Sequence, residues 1–246
     1  MITYERQIEI LNYLKQNKCA TIKELSGAIF TSESSIRRDV KKMEAEGLLK
    51  QTYGGVILAS FVNEIVPLRL RENENADAKD EVARLAAKYI FDGATLLLDG
   101  SSTVRKIVKY INGYKNLKII TNNHLIFSDL ASTDVTVYST GGRFDKQNHI
   151  FLGSTAEEYV RNITADLFFF SSQAISDTGE ITDVSEEETA LRKVMLSRAK
   201  RKIFLCDSSK VGTRKTFTLC SKDEVDAIIC NQPLPWEHVS LNAQAT

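Results

Sequence analysis

At 246 residues, with 43% hydrophobic and 26% charged side chains, the chain is too apolar for a disordered polypeptide and long enough for more than one core. Its 32 Lys and Arg balance 32 Asp and Glu, which excludes a broad basic field, and no apolar run of about 18 residues offers a membrane span. Cys19, Cys206, Cys220 and Cys230 lack metal-ligand spacing, and His124, His149 and His238 do not cluster with them, so no metal site is expected and buried free thiols in a reducing cytoplasm are.

From the N-terminus, MITYERQIEI is charged and has no apolar signal core. Tyr4, Ile8, Leu11 and Leu14 form an apolar stripe on a first helix ending near Asn17, followed by a Cys19-Ala20 connection. Thr21 and Glu24 have the spacing of a capping box, after which Ile22, Leu25 and Ile29 face inward on a second helix. A third runs through TSESSIRRDVKKMEAEG: Thr31 or Ser32 caps it, Ile36, Val40 and Met43 share its inner face, and Gly47 ends it. LLKQTYGGVIL then places two glycines between apolar runs, the pattern of a tight hairpin.

Three helices and a hairpin make a winged helix over residues 1–58, with the third helix as the DNA-reading element. Its outer side carries Ser34, Ser35, Arg37, Arg38, Lys41 and Lys42. Arginine pairs with guanine in the major groove and serine reaches phosphate or a base edge. Arg37 and Arg38 point about 100° apart, so at most one is expected to read bases while the other grips phosphate or the chain's own Asp39 or Glu33. Residues 1–58 hold nine Lys/Arg and seven Asp/Glu, +2, which leaves 23 minus 25, or −2, for the remainder. So mild a charge makes binding depend on placed arginines and on dimerisation.

Residues 59–75, with Pro67 and the polar RLRENENAD, read as a linker, and a helix follows over Ala76–Phe91 with Val82, Leu85, Ala86 and Tyr89 on its apolar side. Apolar strands are expected at 94–99, 117–121, 135–139, 166–170, 202–206 and 225–230, with helices around Thr155–Arg161 and Glu187–Lys200. Residues 76–246 are therefore an open, mostly parallel α/β sheet domain.

Ligands of such sheets bind beyond the carboxyl ends of the strands. Asp99, Ser101, Ser102 and Thr103 lead from a strand into a helix, where N–H groups and hydroxyls cradle a phosphate. Thr121 and Asn122 occupy the equivalent place one unit later; Gly141, Gly142 and Arg143 follow the third strand, and Asp207 and Lys210 follow a later one. Together these loops favour a phosphate-bearing ligand, although Asp99 serves equally well as a turn carboxylate.

The motifs ERQIEILNYLKQN, SESSIRRDVKKMEAEGLL and QTYGGV resemble the N-terminal signature of the DeoR family of bacterial repressors, with Ser35 in place of the usual Thr and Tyr53 in place of the usual His. The resemblance continues through LLLDGSST, IITNNHLI, STGGRF, LGSTAEEYV, DTGEITD and DSSKVG, departing at Ser101-Ser102 where the family has Gly then Thr. It implies a second domain similar in fold to ribose-phosphate isomerase and glucosamine-phosphate deaminase, no catalytic residues and no cofactor. A homo-oligomer, dimer or tetramer, would bind a double-stranded DNA operator and repress carbohydrate-metabolism genes under control of a phosphorylated sugar. Ser34, Ser35, Arg37, Arg38, Lys41 and Tyr53 would then contact DNA. Two alternatives stay open. One is a sugar-phosphate isomerase or deaminase using Asp99, Asp177, Glu180, Asp183, Asp207 and Lys210. In the other the second domain only oligomerises, through Leu191, Val194, Met195 and Arg198.

Overall fold

Residues 3–58 and 68–236 are described by the structure, a computed structural model, and the chain divides into two units, Met1–Arg71 and Glu72–Thr246. In the first unit, helix α1 (Thr3–Asn17) buries Gln7, Ile10 and Leu14. The stripe expected from the sequence is displaced, since Tyr4 and Ile8 are exposed. The buried row contains the polar Gln7, which hides its phase from a reading based on hydrophobicity. Cys19–Ala20 forms strand β1 rather than a bare connection. Helix α2 (Ile22–Ala28) starts at the capping box, with Glu24 N donating to Thr21 Oγ1 at 3.2 Å and Thr21 N to Glu24 Oε2 at 2.7 Å.

Helix α3 (Glu33–Ala45) is capped by Ser32, whose hydroxyl accepts from Ser35 N at 3.3 Å. Ile36, Val40 and Met43 are fully buried in a core shared with Ile10, Leu14 and Leu25. Gly47 takes φ 69° and ends the helix. Strands β2 (Leu49–Thr52) and β3 (Gly55–Leu58) form the hairpin about Tyr53-Gly54, and β1 pairs antiparallel with β3, giving the order β1-β3-β2. Three helices and this small sheet are a winged helix.

Within the stretch read as an irregular linker, Leu68–Asn73 is helical (α4); Pro67 lies outside the described residues. In the second unit, α5 (Ala76–Ala86) buries Lys79, Val82, Ala83 and Ala86 and tightens into a 3-10 turn over Ala87–Tyr89, short of the expected Phe91. Strand β4 (Thr95–Leu98) leads into α6 (Ser102–Arg105), and β5 (Lys118–Thr121) into α7 (His124–Leu130). Strand β6 (Thr136–Ser139) is followed by the hairpin β7 (Arg143–Asp145) and β8 (Ile150–Leu152), then α8 (Ser154–Arg161). The chain continues through β9 (Ala165–Phe170), β10 (Ala174–Ile175), β11 (Glu180–Asp183), α9 (Glu186–Arg198), β12 (Ala199–Cys206), β13 (Phe217–Ser221) and β14 (Ala227–Cys230).

Six strands form one sheet in the order β14-β12-β9-β4-β5-β6, with every neighbouring pair parallel. These are the six apolar runs legible in the sequence. Alternate residues serve opposite faces: Leu96, Leu98, Leu167 and Phe169 pack with Val82, Val104 and Ile126, while Leu97, Phe168, Phe170 and Phe204 pack with Ala156, Leu191 and Met195. The sheet is thus covered by helices on both sides. Leu191 and Met195 lie in this core and Arg198 Nε donates to Ile163 O at 2.7 Å, so that face of α9 is not a partner surface. The antiparallel set β10-β11-β13 and the β7-β8 hairpin were not foreseen. Of the thiols, Cys206, Cys220 and Cys230 are buried as expected, but Cys19 is exposed.

Candidate DNA-reading face and sensor site

On α3, Ser34, Arg37, Arg38 and Lys41 are exposed, and Tyr53 projects fully from the hairpin turn. Ser35 is half-buried, its hydroxyl accepting from Ser32 Oγ at 3.0 Å. Arg37 reaches back one turn to Glu33 at 3.1 Å, an exposed pair that a phosphate can displace at little cost. Asp39 is the residue the sequence reading misplaced. It is buried and accepts from Arg6 Nε of α1, so it holds α3 against α1 instead of serving Arg37 or Arg38. An acidic residue following two arginines looks like surface charge, and only the fold reveals its partner 33 positions away.

In the second unit the chain runs outward from β4 through β5 to β6, then returns to β9 and runs outward the other way through β12 to β14. The connections leaving β4 and β9 therefore part from each other, which opens a crevice beyond their carboxyl ends. Asp99 stands at that point, 1% exposed, with Oδ1 accepting from Ser101 N at 3.0 Å and Oδ2 from Ser171 N at 3.2 Å and Arg192 Nε at 2.7 Å. The Arg192 guanidinium also reaches Asp183 at 3.0 Å and Glu188 at 2.7 Å. Arg192 is buried, and the three surrounding carboxylates outweigh the desolvation that would lower its pKa, raising it above the ordinary arginine value.

Beside this cluster Lys210 Nζ lies 2.8 Å from Ser171 Oγ. Asp207 caps the short turn bearing Lys210, and Asn75 Nδ2 donates to Asp207 Oδ1 at 3.0 Å and to Ser209 Oγ at 2.9 Å. Burial pushes the Asp207 carboxyl up, but the charge of Lys210, the Ser209 hydroxyl and Lys79 together hold it below the usual range.

At the next strands, Ser101 caps α6 through Val104 N at 3.2 Å, and Ser102 and Thr103 are buried behind it. Thr121 Oγ1 accepts from Asn123 N at 2.9 Å, and Asn122 Nδ2 donates to Phe151 O of β8 at 3.2 Å. Gly142, at φ 106°, is fixed by close approach, because a Cβ there would meet Leu152 O at 2.5 Å. Arg143 is exposed and bonded to Glu187 at 2.5 Å. Helix α9 thus ties the two sides together, Glu187 holding Arg143 and Arg192 holding Asp99. Ser171, Ser172, Asp183, Glu188 and Arg192 belong to this neighbourhood and were not singled out as ligand-binding from sequence. Ser171, Ser172, Asp183 and Glu188 carry one sequence signal, position at or just after the end of a strand or in the first turn of a helix, and Arg192, inside α9, carries none.

A winged helix with an exposed basic face, joined to an α/β domain with polar clusters at its strand ends, defines a DNA-binding transcription regulator with a sensor domain. The chain belongs to the DeoR family: residues 6–61 match the DeoR-like helix-turn-helix domain and residues 74–232 the DeoR C terminal sensor domain. It is 28% identical to the HTH-type transcriptional regulator GolR of Listeria innocua, over 95% of this chain and 92% of that one. With the HTH-type transcriptional repressor GlcR of Bacillus subtilis it shares 29% identity over 94% of this chain and 90% of that one. Among solved structures it is similar to ribose 5-phosphate isomerase from Plasmodium falciparum, with a TM-score of 0.41 and 15% identity, covering 55% of this chain and 52% of the other. No described helix is long and apolar enough to cross a membrane.

Proposed function

We propose that the protein is a cytoplasmic repressor of carbohydrate-metabolism genes, a dimer or tetramer whose affinity for its operator is set by a phosphorylated sugar bound at the strand ends of the second unit. One observation carries the ligand assignment. Thr103 Oγ1, Asn122 Oδ1, Asn123 Nδ2 and Asp207 Oδ2 are buried with no hydrogen-bond partner among the described residues. Each such atom costs about 1–3 kcal/mol when left unpaired. They lie in the segments that follow β4, β5 and β12, which suits a ligand rich in hydroxyls, and Lys210 and Arg143 supply positive charge for its phosphate. Asp99, Ser101, Ser102, Thr121, Gly141 and Gly142 shape the cradle.

A non-catalytic role is supported by the state of the carboxylates. Asp99 and Asp183 are both bonded to Arg192, and Glu180 is held by Arg214 at 3.0 Å and Thr218 at 2.7 Å, which leaves none of the three poised for proton abstraction. Contacts to DNA fall to Ser34, Ser35, Arg37, Arg38, Lys41 and Tyr53. An oligomer fits because paired half-sites match a two-fold protein. A thermal-shift screen against pentose, hexose and triose phosphates, repeated with Lys210→Ala and Arg143→Ala, tests the reading: one class should stabilise the protein and either substitution should abolish the effect. Stabilisation by no compound, or by compounds indifferent to both substitutions, would refute it.

A further inference from the structure

Among the described residues, five that are not glycine take positive φ: Lys18, Phe30, Asn75, Asn116 and His149. Four are polar side chains, and asparagine accepts this region readily. Phe30 is the apolar one, at φ 51° and 95% exposed. It occupies the turn between α2 and α3, a place glycine would fill without steric cost.

Two unfavourable terms coincide at Phe30. Left-handed backbone is sterically unfavourable for an L residue, and the ring gains nothing from burial in the chain's own core. The turn is nevertheless rigid: Ile29 N donates to Leu25 O at 3.0 Å, Thr31 N to Ser26 O at 3.1 Å, and Ser26 Oγ to Thr31 O at 2.5 Å. The ring is therefore held out on a fixed base rather than swinging on a loose loop. It also stands two positions before Ser32, the cap of α3, at the end of the recognition helix that a helix-turn-helix directs into the major groove.

We infer that Phe30 is a DNA-contacting residue that packs its ring on the deoxyribose edge of the operator beside the α3 N-terminus. The occupant is DNA because the ring is fully exposed two positions before the cap of α3, the helix whose exposed side carries Ser34, Arg37, Arg38 and Lys41, and because a preformed apolar contact there adds affinity without further ordering of the chain. Such a contact releases no counterions, so it differs from the arginine contacts in its response to salt. The inference rests on α3 reading DNA.

The test uses full-length protein and a duplex selected by it from a random-sequence pool, with fluorescence anisotropy measured across a salt series for the wild type, Phe30→Gly, Phe30→Asn and Arg38→Ala. Both Phe30 variants should keep or raise the thermal midpoint, since each new residue accepts the backbone. Both should lose about tenfold in affinity with an unchanged salt slope, whereas Arg38→Ala should lose affinity together with about one unit of slope. Wild-type affinity in the Phe30 variants overturns the inference while leaving the recognition face intact. Loss of affinity accompanied by a smaller mass in light scattering overturns it too, because the ring would then serve a second protein copy. Failure of the wild type to prefer the selected duplex over a scrambled one refutes both.

Discussion

Arg192 Nε donates to Asp99 Oδ2 at 2.7 Å, joining the second turn of α9 to the end of β4, where the order of strand connection reverses. With Asp183 and Glu188 on the same guanidinium, one buried cation organises three buried carboxylates. Removing the cation strands all three. Arg192→Leu is expected to cost about 3–5 kcal/mol in urea unfolding of the second unit. Arg192→Lys should recover little, because an ammonium lacks the planar fork that spans three acceptors.

A second ion pair, with Asp39 buried and Arg6 half-buried, makes a related point for the DNA-reading unit. Asp39 and Arg6 link α3 to α1. Asp39→Ala should destabilise this unit by about 1.5–3 kcal/mol and reduce DNA affinity through misplacement of α3. Arg6→Met combined with Asp39→Leu should restore most of the stability, which circular dichroism melts will report.

Acid sensitivity has an identifiable contributor in Asp166. The Thr95 N–H and the Lys200 ammonium, each at 2.9 Å, hold its carboxyl below the usual range against a smaller effect of burial. A folded pKa below the unfolded value means stability that is fully present above the unfolded pKa, about 3.9, and is lost as pH falls through the lower folded value. Asp166→Asn should flatten that acid limb, and an unchanged stability profile between pH 5 and 2.5 would contradict the assignment.

The loop after β6 depends on Gly142. Its φ of 106° and the 2.5 Å approach that a Cβ would make to Leu152 O leave no room for alanine. Gly142→Ala should cost at least about 2 kcal/mol and disturb the neighbouring Arg143, detectable as a lowered thermal midpoint and altered ligand response.

On the recognition helix, Glu33 restrains Arg37. Glu33→Gln is expected to raise affinity for unspecific DNA and to steepen its salt dependence, since Arg37 becomes available to another phosphate. Salt titrations of the two proteins on random duplex provide the comparison.

Much of this architecture was legible because its strands are buried on both faces. ATLLLD and DLFFF are unbroken apolar runs, and such runs mark parallel strands whatever the loops between them do. Glu180–Asp183, which forms β11, mixes acidic and polar residues and is made a strand by pairing with residues nearly 40 positions away, so its sequence carries no period to detect. The site was half legible for a related reason. Asp99 announces itself at a strand end, but Arg192 lies 93 positions further on and resembles any helix-surface arginine until the fold brings them together.

Under the proposed function, a phosphorylated sugar at the strand ends changes how tightly the winged helix holds DNA. Linkage requires the ligand to bind the DNA-competent and DNA-incompetent states with different affinity. The most direct measurement is operator anisotropy at fixed protein concentration while phosphorylated sugars are titrated, for the wild type and for Lys210→Ala. The expected result is a selective, saturable change in DNA affinity for one sugar phosphate in the wild type and none in the variant. DNA affinity that stays constant with every sugar phosphate, or changes equally in the Lys210 variant, would contradict it.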